Sequence, residues 1–313
     1  MKPTIALFTG DPAGIGPELV GKLLAHPGTL ERADVVLIGQ RGQVDAPGGV
    51  RWHPWAGLDA PAFPQAQAGA DNGRFMLQGL AAGVQLAVSG AADALCFAPL
   101  NKAALRAGGM HQEDELRWFA EQLGFSGICG ELNVLENLWT ARVTSHVALR
   151  DVSALLSAPK VADAIGMIHR ALQAAGKVTP RIAVCGLNPH NGDNGNYGDE
   201  EARIIEPGVR LAAERGFAAD GPYPADTAFV RALRSEGGYD GVVTMYHDQG
   251  QIAMKLLGFE RGVTVHGGLP IPITTPAHGT AYDIAGAGRA NPGAMVNAFD
   301  LACRMGANRR AGA

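Results

Sequence analysis

The chain has 313 residues, 47% of them hydrophobic, and a net charge of only −4. That length suffices for two ordinary domains or one large α/β unit, and the near-neutral balance without a basic stripe excludes nucleic acid and anionic membrane as expected partners. The apolar run at residues 4–8 is too short for a signal peptide and no run of about 18 apolar residues exists to span a membrane, so a cytoplasmic protein is expected.

The 43 glycines and few aromatics suit tight turns between strands and helices. Cys96, Cys129, Cys185 and Cys303 are widely spaced and form no C-x-x-C pair. They read as small buried hydrophobes in a reduced compartment.

Residues 4–9 have the composition of a first strand. Gly10-Asp11-Pro12-Ala13-Gly14-Ile15-Gly16 follows, and then a helix over 17–25 with Pro17 suited to a first helical position. Such a helix start can hold an anion, although the spacing is not G-x-G-x-x-G and a purely structural turn explains it equally well. Residues 33–39 predict a second strand, 40–73 an irregular stretch, and 75–91 a helix.

A buried strand over 94–99 ends in Asn101 and Lys102, the latter either a proton-transfer or substrate lysine or a solvated helix-start residue. His111 precedes a helix that opens with Glu113, Asp114 and Glu115, acids of the kind a first helical turn favours. His111 is placed to meet an anionic group. Strand character from 129 to 142 leads to His146, and 159–175 is helical. Residues 181–187 predict a strand that ends in Asn188-Pro189-His190, followed by a helix over 199–215 and a turn with one carboxylate, Asp226. Residues 241–245 predict another buried strand, which stops at Tyr246-His247-Asp248. Strand, Gly/Pro/Asn turn and helix repeat throughout, the pattern of a mostly parallel α/β sheet.

Three apolar runs thus each deliver one histidine: His146, His190 and His247. Ligands collect at the carboxyl ends of strands in open α/β sheets, and three neutral imidazoles suit zinc and neighbouring divalent metals with positions left for substrate. The spacings of 44 and 57 residues match no local zinc motif, so strand-end placement carries the expectation. Asp226 and Asp248 are candidates to orient these ligands, and Lys255 to anchor a carboxylate or phosphate. A second constellation runs from Thr275 through His278, Gly279, Thr280 and Asp283 to Asn291-Pro292. It is either a long structural loop or a nucleotide loop in which Asp283 accepts the ribose hydroxyls, a carboxylate that disfavours an extra phosphate there.

Gly10 to Glu18, Pro99-Leu100-Asn101-Lys102, Gly186-Leu187-Asn188-Pro189-His190, Pro224-Ala225-Asp226-Thr227, Tyr246 to Gly250 and His278 to Gly286 occur in one order along nearly the whole chain. Together they resemble the 4-hydroxythreonine-4-phosphate dehydrogenase family of vitamin B6 biosynthesis. The 278–292 loop is also similar to the adenine-side loop of isocitrate and isopropylmalate dehydrogenases. The resemblance implies a two-domain α/β/α architecture with mostly parallel sheets. The expected domains are a cofactor-side one over 1–118 plus 262–313 and one for metal, substrate and dimerisation over 119–261. It further implies a homodimer with a shared active site, NAD or NADP, and a divalent metal (zinc first, then magnesium, manganese, cobalt or nickel).

The family's metal ligands match His146, His190 and His247, its substrate lysine Lys255, and its substrate histidine His111. The cofactor-loop residues are His278, Gly279, Thr280, Asp283 and Asn291. Three positions depart from the family: Gln112 stands for a threonine, Thr264 for an asparagine, and Ile273 for a substrate-binding arginine, whose bidentate contacts isoleucine cannot make. The expected reaction is oxidation of a secondary hydroxyl of a small hydroxy acid, with optional decarboxylation, Lys102 and Asp248 being the proton-transfer candidates. A non-phosphorylated hydroxy acid or a carboxylated cis-dihydrodiol, as used by terephthalate-pathway dehydrogenases, is the alternative substrate. A metal hydrolase and a non-catalytic scaffold are the rival classes.

Overall fold

The computed structural model describes residues 2–312. It divides into two compact units, Met1–Gly127 with Glu260–Ala313, and Ile128–Phe259. The helix over Glu115–Gln122 lies wholly in the first unit, past the break expected at 118.

In the first unit β1 (Thr4–Phe8), α1 (Gly16–Ala25), β2 (Asp34–Ile38) and the short β3 (Arg51–Trp52) are followed by α2 (Ala70–Val88) and β4 (Ala94–Phe97). Next come α3 (Lys102–Ala107) and α4 (Glu115–Gln122). Strands β1 and β2 are apolar runs whose last four residues are all buried, and every residue of β4 is buried, as strands covered on both faces must be. Helix α2 buries Phe75, Met76, Gly79, Leu80, Gly83, Val84 and Ala87, one stripe at helical spacing. That stripe joins Phe8, Ile38, Leu95, Phe97, Trp118 and Phe119 in one core. A fully buried side chain such as Phe8 or Phe119 contributes about 1.5–3 kcal/mol.

The second unit opens with a hairpin, β5 (Gly130–Leu135) and β6 (Leu138–Arg142), in place of the single segment of strand character expected over 129–142. Then come α5 (Ala158–Ala174), β7 (Ile182–Cys185), α6 (Glu206–Glu214), β8 (Asp220–Tyr223), α7 (Ala225–Ala232), β9 (Gly241–Thr244) and α8 (His247–Gly258). Its strand order is β5-β6-β9-β7-β8, parallel except for the hairpin. The chain then returns to the first unit as β10 (Val263–Gly267), β11 (Ile273–Pro276) and α9 (Gly293–Gly312). The first unit's order is β3-β2-β1-β4-β11-β10, with only the last pair antiparallel. Among the described residues no helix is long and apolar enough to cross a membrane.

Candidate functional site

In the second unit β6, β9 and β7 are adjacent and parallel, so their carboxyl ends share one edge. The β6–β9 ladder continues past the strands through Val143 N–H to Thr244 O (2.9 Å) and Thr144 N–H to Met245 O (3.1 Å). It carries His146 and His247 out side by side, with ring centroids 5.7 Å apart. The turn before His146 is held by the nearly buried Arg142, which donates to Ser145 Oγ (2.8 Å), Asn133 Oδ1 (2.7 Å) and Glu131 Oε2 (2.6 Å). At the other strand Gln249 accepts Met245 N–H (2.7 Å) and donates to Gly186 O (2.9 Å), tying the start of α8 to the end of β7. His146, His247, Asp248, Ser145 and Tyr246 line a cavity of about 500 Å³.

His247 Nδ1 lies 2.7 Å from Asp248 Oδ1. A carboxylate on Nδ1 holds the proton there and leaves Nε2 as the free lone pair, the arrangement usual around metal-bound imidazoles. Asp226 is exposed in the first turn of α7, and Lys255 is exposed on α8.

His190 follows β7 in a turn built from left-handed backbone: φ is +52° at His190, +59° at Asn191, +80° at Gly192, +42° at Asp193 and +56° at Asn194. Asn, Asp and Gly tolerate this region best, which is why the turn is spelled Asn-Gly-Asp-Asn. The nearly buried Glu201 fastens it. Its Oε1 accepts Leu187 N–H and Asn188 N–H, both at 2.7 Å, and its Oε2 accepts Asn188 Nδ2 at 3.0 Å. Glu200 takes the other Asn188 Nδ2 hydrogen (2.7 Å) and Ser153 Oγ (2.6 Å), the two bonds that hold its carboxyl below the usual range. Both glutamates sit where a π-helical turn, Glu201–Ile205, precedes α6, instead of the uninterrupted helix expected over 199–215. Sequence reading does not single out Glu200, Glu201 or Gln249; the acids after a Gly/Asn turn are the local signal for the two glutamates, and Gln249 lies within the Tyr246–Gly250 motif.

His190 rests 6.2 Å from the Tyr197 ring. Among the described residues no group of three His, Cys, Asp or Glu side chains is gathered in ligating geometry. The expected triad is therefore a pair, His146 with His247, and a third histidine on a separately braced turn. The pair and its carboxylate fit a borderline divalent cation by donor chemistry, with His190 the additional imidazole the turn offers.

In the first unit the second constellation folds against the first loop. Ile15 N–H donates to Thr280 O (3.1 Å), and a Cβ on Gly14 would stand 2.8 Å from the Thr280 Cβ, so glycine is required there. Lys22 donates to Glu18 Oε1 (2.8 Å), Gly288 O (2.9 Å) and Ala290 O (2.7 Å), and Ala290 N–H reaches Glu18 at 2.7 Å. Burial pushes the Glu18 carboxyl up, but Lys22 and the Ala290 amide outweigh it and hold the group below its ordinary value. His278 is half-buried with Nδ1 3.1 Å from Gly279 O, Thr280 is buried, and Gly279 and Asp283 are exposed. Asn291 accepts Gly293 N–H (2.9 Å) at the start of α9 and donates to Glu260 (3.1 Å).

Lys102 begins α3 beneath the Asn101 cap, with Nζ 3.9 Å from Oε2 of the nearly buried Glu115. Asp114 caps α4 through Arg117 N–H (2.8 Å), so its role is structural as expected. His111 is exposed, and Gln112 accepts its N–H (3.2 Å) while donating to Glu121 (2.5 Å). Thr264 is half-buried in β10 opposite Thr275.

Ile273 stands where the resemblance places a substrate-binding arginine. It is wholly buried in β11, paired with Leu95 and packed in the core with Phe97 and Phe119, so it is a core residue and not a substrate contact.

A family model described as pyridoxal phosphate biosynthetic protein PdxA matches residues 41–302. The chain is 52% identical to a Pseudomonas aeruginosa protein that carries the provisional name 4-hydroxythreonine-4-phosphate dehydrogenase 2, over 98% of each. It is 38% identical to the D-threonate 4-phosphate dehydrogenase of Salmonella typhimurium, over 96% of this chain and 98% of that one. Among solved structures, the 4-hydroxythreonine-4-phosphate dehydrogenase of Klebsiella pneumoniae superposes with a TM-score of 0.85 at 34% identity, covering 98% of both chains. A terephthalate 1,2-cis-dihydrodiol dehydrogenase from Burkholderia xenovorans gives 0.72 at 27% identity, covering 97% of this chain and 98% of that one.

Proposed function

Because the chain belongs to the family of the pyridoxal phosphate biosynthetic protein PdxA, we propose a specific form of that family's dehydrogenase chemistry. The activity is oxidation of a CH–OH group of a small hydroxy acid, with NAD(P) as hydride acceptor. The substrate is phosphorylated, of the 4-hydroxythreonine 4-phosphate or threonate 4-phosphate type. The nucleotide is NAD, because Asp283 is exposed on the 278–292 loop and a carboxylate repels a ribose phosphate. The cation is of the zinc class. The observation that carries this reading is the His146–His247 pair, 5.7 Å apart at the ends of adjacent parallel strands, with Asp248 on His247.

His146, His247 and His190 would hold the cation. When bound, such a cation supplies Lewis-acid chemistry that lowers the pKa of a chelated hydroxyl, and NAD accepts the hydride. Asp248 keeps the proton on His247 Nδ1, an orienting role that argues against its use as the base. The hydroxyl proton is assigned to Lys102, which Glu115 holds at the start of α3. Lys255 and His111 are donors for the phosphate, and Gln112 and Thr264 for the remaining hydroxyls.

A second reading is favoured by Ile273, an apolar core residue where the family resemblance calls for arginine. Here the substrate lacks the phosphate and is a carboxylated cis-dihydrodiol. Supplying purified protein with the two phosphorylated acids and a cis-dihydrodiol, and following NADH absorbance, decides between them. Turnover of the phosphorylated acids, lost on chelation, supports the first reading; turnover of the diol alone overturns it.

The working form is a homodimer. Leu149, Ile252 and Leu256 of the second unit are 70%, 59% and 84% exposed, apolar surface of the kind that a subunit interface covers. Light scattering should give twice the chain mass, and Leu256→Asp should give a monomer.

A further inference from the structure

Asp11 is wholly buried, and no lysine, arginine or histidine among the described residues forms an ion pair with it. A carboxylate in that position is tolerated only when donors surround it. Three donors do so, each from a different segment: Ala13 N–H to Oδ1 (3.0 Å), Asn72 Nδ2 to Oδ1 (3.3 Å) and Tyr282 Oη to Oδ2 (2.6 Å). One side chain therefore joins the β1–α1 loop, the start of α2 and the 278–292 loop.

The surrounding contacts repeat the connection. Asn72 also donates to Gln67 O (3.1 Å), and Ala66 N–H donates to Ala13 O (2.8 Å). The Gln65 side chain lies against Gly286, where an added Cβ would meet its Oε1 at 2.2 Å. The stretch before α2, irregular in sequence, is thus a brace for the loop that carries Asp283. Burial raises the Tyr282 hydroxyl above its usual range and the bond to Asp11 raises it further, so the tyrosine stays a donor. Ala281 before it has φ +41°, a left-handed alanine that persists only where its neighbours hold it. Tyr282, bonded to Asp11, and Thr280, whose carbonyl accepts Ile15 N–H, fix it on either side.

We propose that Asp11 is a positioning residue for the nucleotide: through Tyr282 it holds the 278–292 loop in the form that presents Asp283. The inference rests on the reading of that loop as the cofactor's, and it adds Asp11, Asn72 and Tyr282 to the residues that act on binding without touching the ligand.

Two measurements test it. The first is ligand-free: in Tyr282→Phe, amide hydrogen exchange across 279–290 should rise several-fold while exchange in α2 and β1 stays unchanged. Unchanged exchange in the loop overturns the proposal. The second is NADH binding to the metal-free protein, read by fluorescence. Tyr282→Phe and Asp11→Asn should each weaken it roughly tenfold, the worth of one charge-assisted hydrogen bond, and the double variant no further. Additive losses, or an unchanged Kd in Tyr282→Phe, overturn the proposal. A wild-type protein that fails to bind NADH refutes the cofactor reading, and the exchange measurement still decides the brace.

Discussion

His247 and Asp248 are neighbours in the chain whose side chains nevertheless meet, Nδ1 to Oδ1 at 2.7 Å, at the first turn of a helix. The geometry gives the imidazole one fixed tautomer and the carboxylate an orienting task. Asp248→Asn, which retains shape but loses the charge, should reduce divalent-metal affinity about 10–100-fold. Titration of apo protein against a competing chelator measures this, with circular dichroism unchanged. Equal affinity would reassign Asp248.

Glu201 should matter more for the fold than any other acid in the second unit. Its nearly buried carboxylate receives two backbone amides and the Asn188 side chain. Truncation to Ala leaves buried donors unsatisfied, at a cost of about 2–4 kcal/mol. Glu201→Gln keeps one acceptor oxygen and should cost less. Urea denaturation of both variants gives the ordering, and the reverse ordering contradicts the arrangement described.

Much of this was legible in the sequence because it depended on local pattern. The strands leading to His190 and His247 were apolar runs bounded by turn residues, and they fall at Ile182–Cys185 and Gly241–Thr244. The hairpin at 130–142, strand β8 and the antiparallel β10–β11 pair carried weaker signals, since Glu136 turns the hairpin at φ +54° without a glycine and β8 contains a proline. What could not be read were relationships across sequence distance. Asp11 to Tyr282 and Leu187 to Glu201 are bonds between residues that have no periodic relation. Ile273 belongs with them: its place after the Gly268-Leu269-Pro270 stretch is visible in the sequence, but its enclosure by Phe97 and Phe119 is not.

The thiols should divide by burial. Burial pushes Cys96, Cys185 and Cys303 from the usual 9.0 to about 12, which keeps them protonated and unreactive at neutral pH. Cys129, partly exposed, should be the one that a thiol reagent modifies in native protein, with all four reacting in denaturant. Because the folded values are raised, the neutral thiols favour the folded state below the unfolded value, and that contribution is lost as pH rises from about 9 towards 12. Chemical denaturation should therefore show stability falling over that alkaline window. Rapid labelling of more than one cysteine in native protein would contradict the burial pattern.

Ile273→Arg tests the core assignment of this position directly. Ile273 is wholly enclosed, so a guanidinium there must be buried unpaired or force β11 aside, with a loss of about 3–5 kcal/mol. If the position instead borders the substrate, the arginine restores a phosphate contact and KM for the phosphorylated acid falls while stability is kept. Core packing predicts the first outcome, a strongly lowered Tm with no gain in KM. The measurement is a thermal melt beside steady-state kinetics on the same preparation. Ile273→Val serves as the control, losing only about 0.5–1.5 kcal/mol as a deleted buried methylene should.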